Sequence, residues 1–406
     1  MVTIEDITKA YIDCRKKKRN TNNAIRFEID YECNLARLTD EINDRTYQIS
    51  RCLSFVVTRP RYREVFAADF RDRIIHHYIA LRLIPILDKI MNDRSFNCRV
   101  GKGTLSGVKQ LYADIKECSN QYTQDCWVCK MDIRGFFMSI NRLMLAERVE
   151  KLTKKYYIGD DKEDLLWLEG KTITNSPEYN CIKKSPLELW NYIPKEKSLF
   201  TNGENIGLPI GNLPSQILAN YLMDSIDWEI ENMGLKYHGR YVDDIYIVDR
   251  DKSLILKSIP KIRQLLSEIG LTLHPRKFYF QHYSKGIEFT GTIIKGNRSY
   301  VNNRIVFSFK NSVKELEQAK TIDEIFYAVS RVNSYLGTMS HHNTYAIRSD
   351  VLVHADIYNK VYVGGKYEKV VVKNKYKYRE FVRKEINKRK WVEIGLASPV
   401  FQEPSK

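Results

Sequence analysis

Two aspartates, Asp243 and Asp244, stand side by side in the run Gly239-Arg240-Tyr241-Val242-Asp243-Asp244-Ile245-Tyr246-Ile247-Val248. Strand-forming residues flank the pair on both sides, the pattern of a hairpin with its acids at the tip. An Asp-Asp pair alone is commonly a solvated turn. Here the flanks are apolar enough to be buried, so the carboxylates emerge from the edge of a packed sheet. Held there they repel each other unless a cation neutralises them. A third acid has a similar setting: Trp127-Val128-Cys129-Lys130-Met131-Asp132-Ile133 is an apolar strand-like run ending in Asp132, followed by Arg134-Gly135-Phe136-Phe137. Carboxylates are hard oxygen donors that suit magnesium. Two such ions ~3.5–4 Å apart can activate a 3′-hydroxyl and stabilise a departing pyrophosphate. Convergence of the acids is a tertiary matter that spacing leaves open.

The elements around these acids follow from periodicity. Apolar residues at Ile25, Phe27, Leu35, Leu38 and Ile42 have helical spacing, and residues 51–63 read as a strand. A helix is expected over 69–84, ended or kinked by Pro85. Pro177, Pro186 and Pro194 make 155–205 irregular. Helices are expected over 214–231, with Pro214 near its start, and over 260–269, opened by Pro260 and stopped by Gly270. Beyond residue 311 the pattern is mostly helical. The tail over 360–391 interleaves Lys366, Lys369, Lys373, Lys375, Lys377 and Arg379 with Tyr367, Tyr376 and Tyr378. That composition fits RNA phosphate contact with base stacking, or an acidic protein face, while Val370-Val371-Val372 also fits an edge strand.

The chain has 406 residues, 43% of them hydrophobic, with 66 Lys and Arg against 50 Asp and Glu, a formal charge of +16. A folded protein with that excess attracts polyanions. No apolar run approaches the ~20 residues of a membrane span, and the N-terminus has no secretory pattern. The eight cysteines lack the density of a disulfide scaffold and read as reduced thiols in a cytoplasmic protein. Cys126-Trp127-Val128-Cys129 has no second pair to complete a zinc site, so these are expected as buried strand cysteines. Gly101-Lys102-Gly103-Thr104 lacks the spacing of an NTP-binding loop, but such a turn lets amides approach a phosphate. The run Arg15-Lys16-Lys17-Lys18-Arg19 reads as a solvated face or a phosphate contact. His341-His342 has poor spacing for a metal and is expected at the surface or on nucleic acid.

Over residues 50–340 the chain resembles the reverse transcriptases. Tyr241-Val242-Asp243-Asp244 is similar to their tyrosine-x-aspartate-aspartate motif, and Asp132-Ile133-Arg134-Gly135-Phe136-Phe137 to their first aspartate motif. The resemblance implies an α+β right-hand polymerase fold of fingers, palm with an antiparallel sheet, and helical thumb. The expected divisions are 1–120 for the N-terminal extension and fingers, 121–300 for the palm with an insert at about 155–205, and 301–406 for the thumb and basic tail. It implies Asp132, Asp243 and Asp244 as catalytic residues and, with the Ile133 backbone, as ligands of two Mg2+ ions, for which Mn2+ can substitute. Phe137 corresponds to the steric gate against ribonucleotides. Arg63, within Arg63-Glu64-Val65-Phe66, resembles the fingers' cover over the incoming nucleotide, and Phe70-Arg71-Asp72-Arg73-Ile74 also resembles the fingers. Lys277, in Gly270-Leu271-Thr272-Leu273-His274-Pro275-Arg276-Lys277, is expected near the triphosphate. Phe289, Thr290 and Gly291 resemble the primer grip. Lys102, Gly103 and Thr104 are assigned to template backbone contact.

One departure narrows the resemblance. Most reverse transcriptases carry glutamine-glycine and then serine-proline before the catalytic hairpin, whereas this chain has Pro209-Ile210-Gly211 and Ser215-Gln216. With Lys197-Ser198-Leu199-Phe200, that pattern resembles the enzymes of diversity-generating retroelements. These copy a template-repeat RNA into cDNA with errors opposite adenine, alongside a small accessory variability protein, and the cDNA replaces a variable repeat in a target gene. Ile210 and Gln216 are therefore the expected fidelity positions. Template RNA, cDNA primer-template, deoxynucleotides and an accessory-protein oligomer are the implied partners, without a membrane, in a bacterial, archaeal or phage-encoded cytoplasmic protein. Reverse transcriptases of retrons, group II introns or phage defence, and a non-catalytic RNA-binding scaffold, are the alternatives.

Overall fold

Near-continuous burial along Trp127–Ile133 and Asp244–Asp249, covered on both faces, builds the sheet that carries the acids. The computed structural model describes residues 1–16, 21–378 and Glu380. Among them the strands are β1 (Cys52–Val57), β2 (Arg63–Ala67), β3 (Trp127–Ile133), β4 (Cys181–Lys183), β5 (Tyr237–Tyr241), β6 (Asp244–Asp249), β7 (Leu273–His282), β8 (Ile287–Phe289), β9 (Thr292–Lys295), β10 (Arg298–Val301), β11 (Val361–Val363) and β12 (Val370–Val372). The chain forms two compact units, Met1–Lys285 and Gly286–Lys406.

In the first unit a four-stranded antiparallel sheet has the order β5-β6-β3-β7. One face carries Cys129, Met131, Ile133, Ile245 and Ile247, which are buried with Leu222, Ile226, Ile255 and Ile262 from the covering helices. Sheet and helices thus form the α+β arrangement expected. A smaller sheet, β2-β1-β4, pairs β1 antiparallel with β2 and parallel with β4. Cys126 is buried just before β3 and Cys129 is buried on it, both as free thiols.

Several helices depart from expectation. The helix Phe70–Ile90 runs through Pro85, so of the end or kink expected there the end does not occur. Leu83 and Leu87, buried on either side of Pro85, anchor both halves, and the bond lost to the Leu81 carbonyl falls on an exposed turn. The helix Lys252–Glu268 starts eight residues before Pro260, because the Asp251 side chain caps it at the Ser253 N–H and Ile255, Ile259, Ile262 and Leu266 bury one stripe. The single helix expected over 214–231 is two, Leu213–Leu222 and Asp224–Asn232, divided at Met223. The 155–205 stretch is more ordered than its prolines suggest: it contains the helix Lys162–Thr174, and its β4 completes the smaller sheet.

The second unit holds the sheet β10-β9-β8, the helices Asn303–Gln318, Ile322–Met339 and Tyr345–Val353, and the hairpin β11-β12. The hairpin realises the strand reading of Val370-Val371-Val372, and its cations partly serve the fold. The Asn333 side chain bonds both the N–H (2.8 Å) and the carbonyl (2.9 Å) of Val370. Lys360, nearly buried, donates to the Leu316 carbonyl at the end of a helix (2.9 Å). His342 is not a free surface group, since its Nε2 lies 3.2 Å from Thr292 Oγ1; His341 is exposed. In the early basic run Arg15 pairs with Glu28 and Lys16 with Asp13, while residues 17–19, like Arg379 and 381–391 of the tail, lie outside the described residues. No helix among the described residues is long and apolar enough to cross a membrane.

Candidate active site

Strand register decides what the acids can do together. Asp132 on β3 sits directly opposite Asp244 on β6, so both side chains project from the same sheet face. Asp243 and Val242 form the two-residue turn between β5 and β6, and the Asp243 carbonyl accepts a hydrogen bond from the Ile133 N–H (3.2 Å). Burial, then the Asp132 and Asp244 charges, pushes the Asp243 carboxyl up from 3.8 to about 6. Burial likewise raises Asp244, against the pull of Lys130.

Two lysines bring positive charge to the outer acids. Lys277 of β7 donates to both oxygens of Asp132 (2.9 and 2.7 Å), and Lys130 of β3 lies 3.3 Å from Asp244. Among the described residues no three His, Cys, Asp or Glu side chains are grouped closely enough to enclose a metal ion. The donor chemistry nevertheless fits a divalent cation: the ligands are hard oxygens, and Asp243 carries the mutual repulsion that such a charge relieves. Lys277 therefore stands at Asp132.

The remaining candidates fall into three places. Phe137 is half-buried on the short helix Phe136–Ser139, with its ring edge-on to Phe136 and its carbonyl bonded to the Leu208 N–H (2.8 Å). Ile210 packs beside Phe66, Met138 and Leu199, and its carbonyl accepts from the Phe66 N–H of β2 (2.8 Å). Gly211 follows at φ +118°, and a Cβ there would stand 2.9 Å from the Phe66 carbonyl oxygen, so this close approach needs glycine. Segment 207–211 thus joins Phe137 to the smaller sheet, where exposed Arg63 opens β2. Gln216 is exposed on its helix, 3.7 Å from Cys98 Sγ, which donates to it. Lys102 donates to the backbone (2.6 Å) and side chain (3.1 Å) of Asp93, and Gly103 caps the helix Thr104–Cys118. In the second unit Phe289 is buried, and Thr290 (φ +49°) and Gly291 (φ +88°) turn β8 into β9.

Other residues of the site escaped the sequence reading. Lys130 had a signal, since it lies two residues before Asp132 and must share its face. Glu64, buried on β2, accepts from Ser198 Oγ (2.8 Å) and from the Leu199 N–H, fastening the 197–200 segment to the smaller sheet. Arg240, fully buried, pairs with Asp227 and bonds Asn220 and the Val242 carbonyl. Its partners are scattered in sequence, and no local pattern marks them.

The sequence model described as reverse transcriptase (RNA-dependent DNA polymerase) matches residues 58–294, more than half of the chain. No curated protein matches the chain. Among solved structures, apo telomerase from Candida tropicalis aligns at 14% identity and TM-score 0.47, covering 75% of this chain and 55% of that one. A form of it truncated from the C-terminal domain aligns at 13% identity and TM-score 0.45, covering 63% and 55%. Telomerase from Candida albicans, in complex with a fragment of telomeric RNA, aligns at 10% identity and TM-score 0.45, covering 78% and 58%. The chain spans a little over half the length of each of these structures.

Proposed function

The chain belongs to the reverse transcriptase (RNA-dependent DNA polymerase) family, and from that premise we propose that it copies an RNA template into DNA at the face carrying Asp132, Asp243 and Asp244. The observation that carries this is the register that sets Asp132 opposite Asp244, beside the turn holding Asp243. Asp132 and Asp243 would hold two Mg2+ ions, with Asp244 in support. Two such ions would supply Lewis acidity for a primer 3′-hydroxyl and a leaving pyrophosphate. The chain's own residues orient the substrates. Phe137 lies under the sugar and collides with a 2′-hydroxyl. Arg63 reaches over the nucleotide, where a guanidinium both stacks on a base and forks onto phosphate. Lys277 and Lys130 set positive charge beside Asp132 and Asp244. Phe289, Thr290 and Gly291 act on the primer and Lys102 to Thr104 on the template, with 1–120 serving as fingers, 121–300 as palm and 301–406 as thumb.

Within the family, the reading best supported is a reverse transcriptase of a diversity-generating retroelement that makes adenine-mutagenised cDNA with an accessory protein. Its support is Ile210 and Gln216 in place of glutamine and proline, with Lys197-Ser198-Leu199-Phe200 upstream. Ile210 cannot hydrogen-bond an incoming nucleotide, and losing such a contact relaxes discrimination by ~1–3 kcal/mol. The test is primer extension on structured RNA with magnesium, with and without a candidate accessory protein, followed by sequencing of the cDNA. Errors concentrated opposite adenine, and lowered by Ile210→Gln, support the retroelement assignment. Errors spread over all template bases point to a retron, intron or defence enzyme. No extension at all leaves an RNA-binding scaffold.

A further inference from the structure

A two-residue hairpin turn with positive φ at its first central position calls for glycine, because any Cβ there meets the backbone. This chain has Val242 at that position, with φ +58°, a β-branched residue in a region it rarely adopts. The turn is therefore not stabilised by its own two residues, and contacts from beyond the turn must hold it.

We propose that Asn97, Asn220 and Arg240 form a positioning frame that holds Val242 in this strained conformation and thereby aims the neighbouring Asp243 at the reacting centre. The contacts close into a ring. Asn97 Oδ1 accepts from the Val242 N–H (2.9 Å). The Val242 carbonyl accepts from Arg240 Nη1 (3.2 Å), which also donates to Asn220 Oδ1 (2.9 Å). Asn220 Nδ2 completes the ring by donating to the Asn97 carbonyl (2.8 Å). Both backbone polar groups of the strained residue are thus taken by side chains, and Asn97, Asn220 and Arg240 are only 4%, 2% and 0% exposed.

The frame is itself anchored. Arg240 donates through Nε (2.9 Å) and Nη2 (2.6 Å) to buried Asp227, and through Nη2 to the Asn220 carbonyl (3.2 Å), so every guanidinium N–H has an acceptor. The loop bearing Asn97 runs along the free edge of β5, with the Phe96 N–H donating to the Arg240 carbonyl and the Arg240 N–H to the Arg94 carbonyl (both 2.9 Å). A fully satisfied buried network of this kind is rigid, which suits a ligand-bearing turn.

The inference rests on the polymerase reading, and its test separates the two. Arg240 is left intact, since its removal strands the buried Asp227 charge and unfolds the unit. Asn97→Ala is instead compared in the Val242 and Val242→Gly backgrounds, glycine accepting the positive φ without help. In single-nucleotide incorporation, Asn97→Ala lowers kcat roughly 10- to 100-fold with little change in KM for the deoxynucleotide, and the loss shrinks to less than about threefold beside Val242→Gly. In metal-free protein the amide of residue 242 exchanges with deuterium at least ~10-fold faster in Asn97→Ala. Equal losses in both backgrounds, a KM effect alone, or unchanged exchange overturn the frame. An inactive wild type with accelerated exchange overturns the polymerase reading and keeps the frame.

Discussion

Replacing Asp243 by asparagine stabilises the metal-free protein. The carboxyl ionises at about 6 in the fold against 3.8 for the ordinary side chain, because burial and the charges of Asp132 and Asp244 disfavour its anion. A folded-state value above the unfolded one means that the fold binds the proton more tightly. Stability attached to that proton is complete below about pH 4 and is lost as pH rises through 6. The gap of two units corresponds to about 3 kcal/mol, and the side chain's partial exposure reduces it to about 1–3 kcal/mol. Asp243→Asn escapes that loss, so at pH 7.5 without divalent ions it melts above the wild type, by about 2–4 °C per kcal/mol. At pH 4 the two proteins melt together. Magnesium then narrows the gap by stabilising the wild type more than the variant, which has lost one of the carboxylates that face the cation. Thermal melts at both pH values, with and without Mg2+, decide the matter. An asparagine variant that melts lower at pH 7.5, or that gains as much from magnesium, refutes the reasoning.

Three further perturbations have definite outcomes. Glu169 is buried against Thr153, whose hydroxyl lies 3.0 and 2.9 Å from its two oxygens, and burial pushes its carboxyl up to about 8. The fold therefore holds a proton there, wild-type stability falls as pH rises from 4.5 through 8, and Glu169→Gln raises the melting temperature more at pH 9 than at pH 5; equal shifts contradict this. Gly211→Ala sets a Cβ 2.7 Å from Val65 Cγ1 and 2.9 Å from the Phe66 carbonyl at φ +118°, costing about 1–3 kcal/mol and raising KM for deoxynucleotides; an unchanged urea midpoint counts against it. Phe137→Ala lowers the ratio of kcat/KM for deoxy- over ribonucleotides by about tenfold or more, measured by competing the two, and an unmoved ratio removes Phe137 as the gate.

What was legible in the sequence was local. The hairpin at 237–249 and the strand ending in Asp132 followed from apolar runs interrupted by acids, and the register then placed Asp132 opposite Asp244. The prolines misled where burial outweighed propensity: Pro85 and Pro260 lie inside helices whose buried residues continue past them. The 155–205 stretch looked irregular because three prolines stand in it, yet Arg142, fully buried, holds it through the Asn175 carbonyl (2.6 Å) and Glu178 (2.7 Å). The frame around Val242 was invisible for a different reason. Asn97 lies 145 residues from Val242 and 123 from Asn220, and polar residues that meet only in the fold carry no period to read. Lys277 was found by resemblance, but its bond to Asp132 across the sheet required the register of β3 and β7.

The most direct measurement is extension of a DNA primer on an RNA template across a magnesium titration, for the wild type and for Asp132→Asn, with RNA binding followed in parallel. Wild-type protein is expected to lengthen the primer only when Mg2+ or Mn2+ is supplied, while Asp132→Asn binds the RNA equally well and adds no nucleotide. Primer lengthened by Asp132→Asn at the wild-type rate, or a wild type that binds the RNA and never extends it, contradicts the assignment of this sheet face as a metal-dependent polymerase centre.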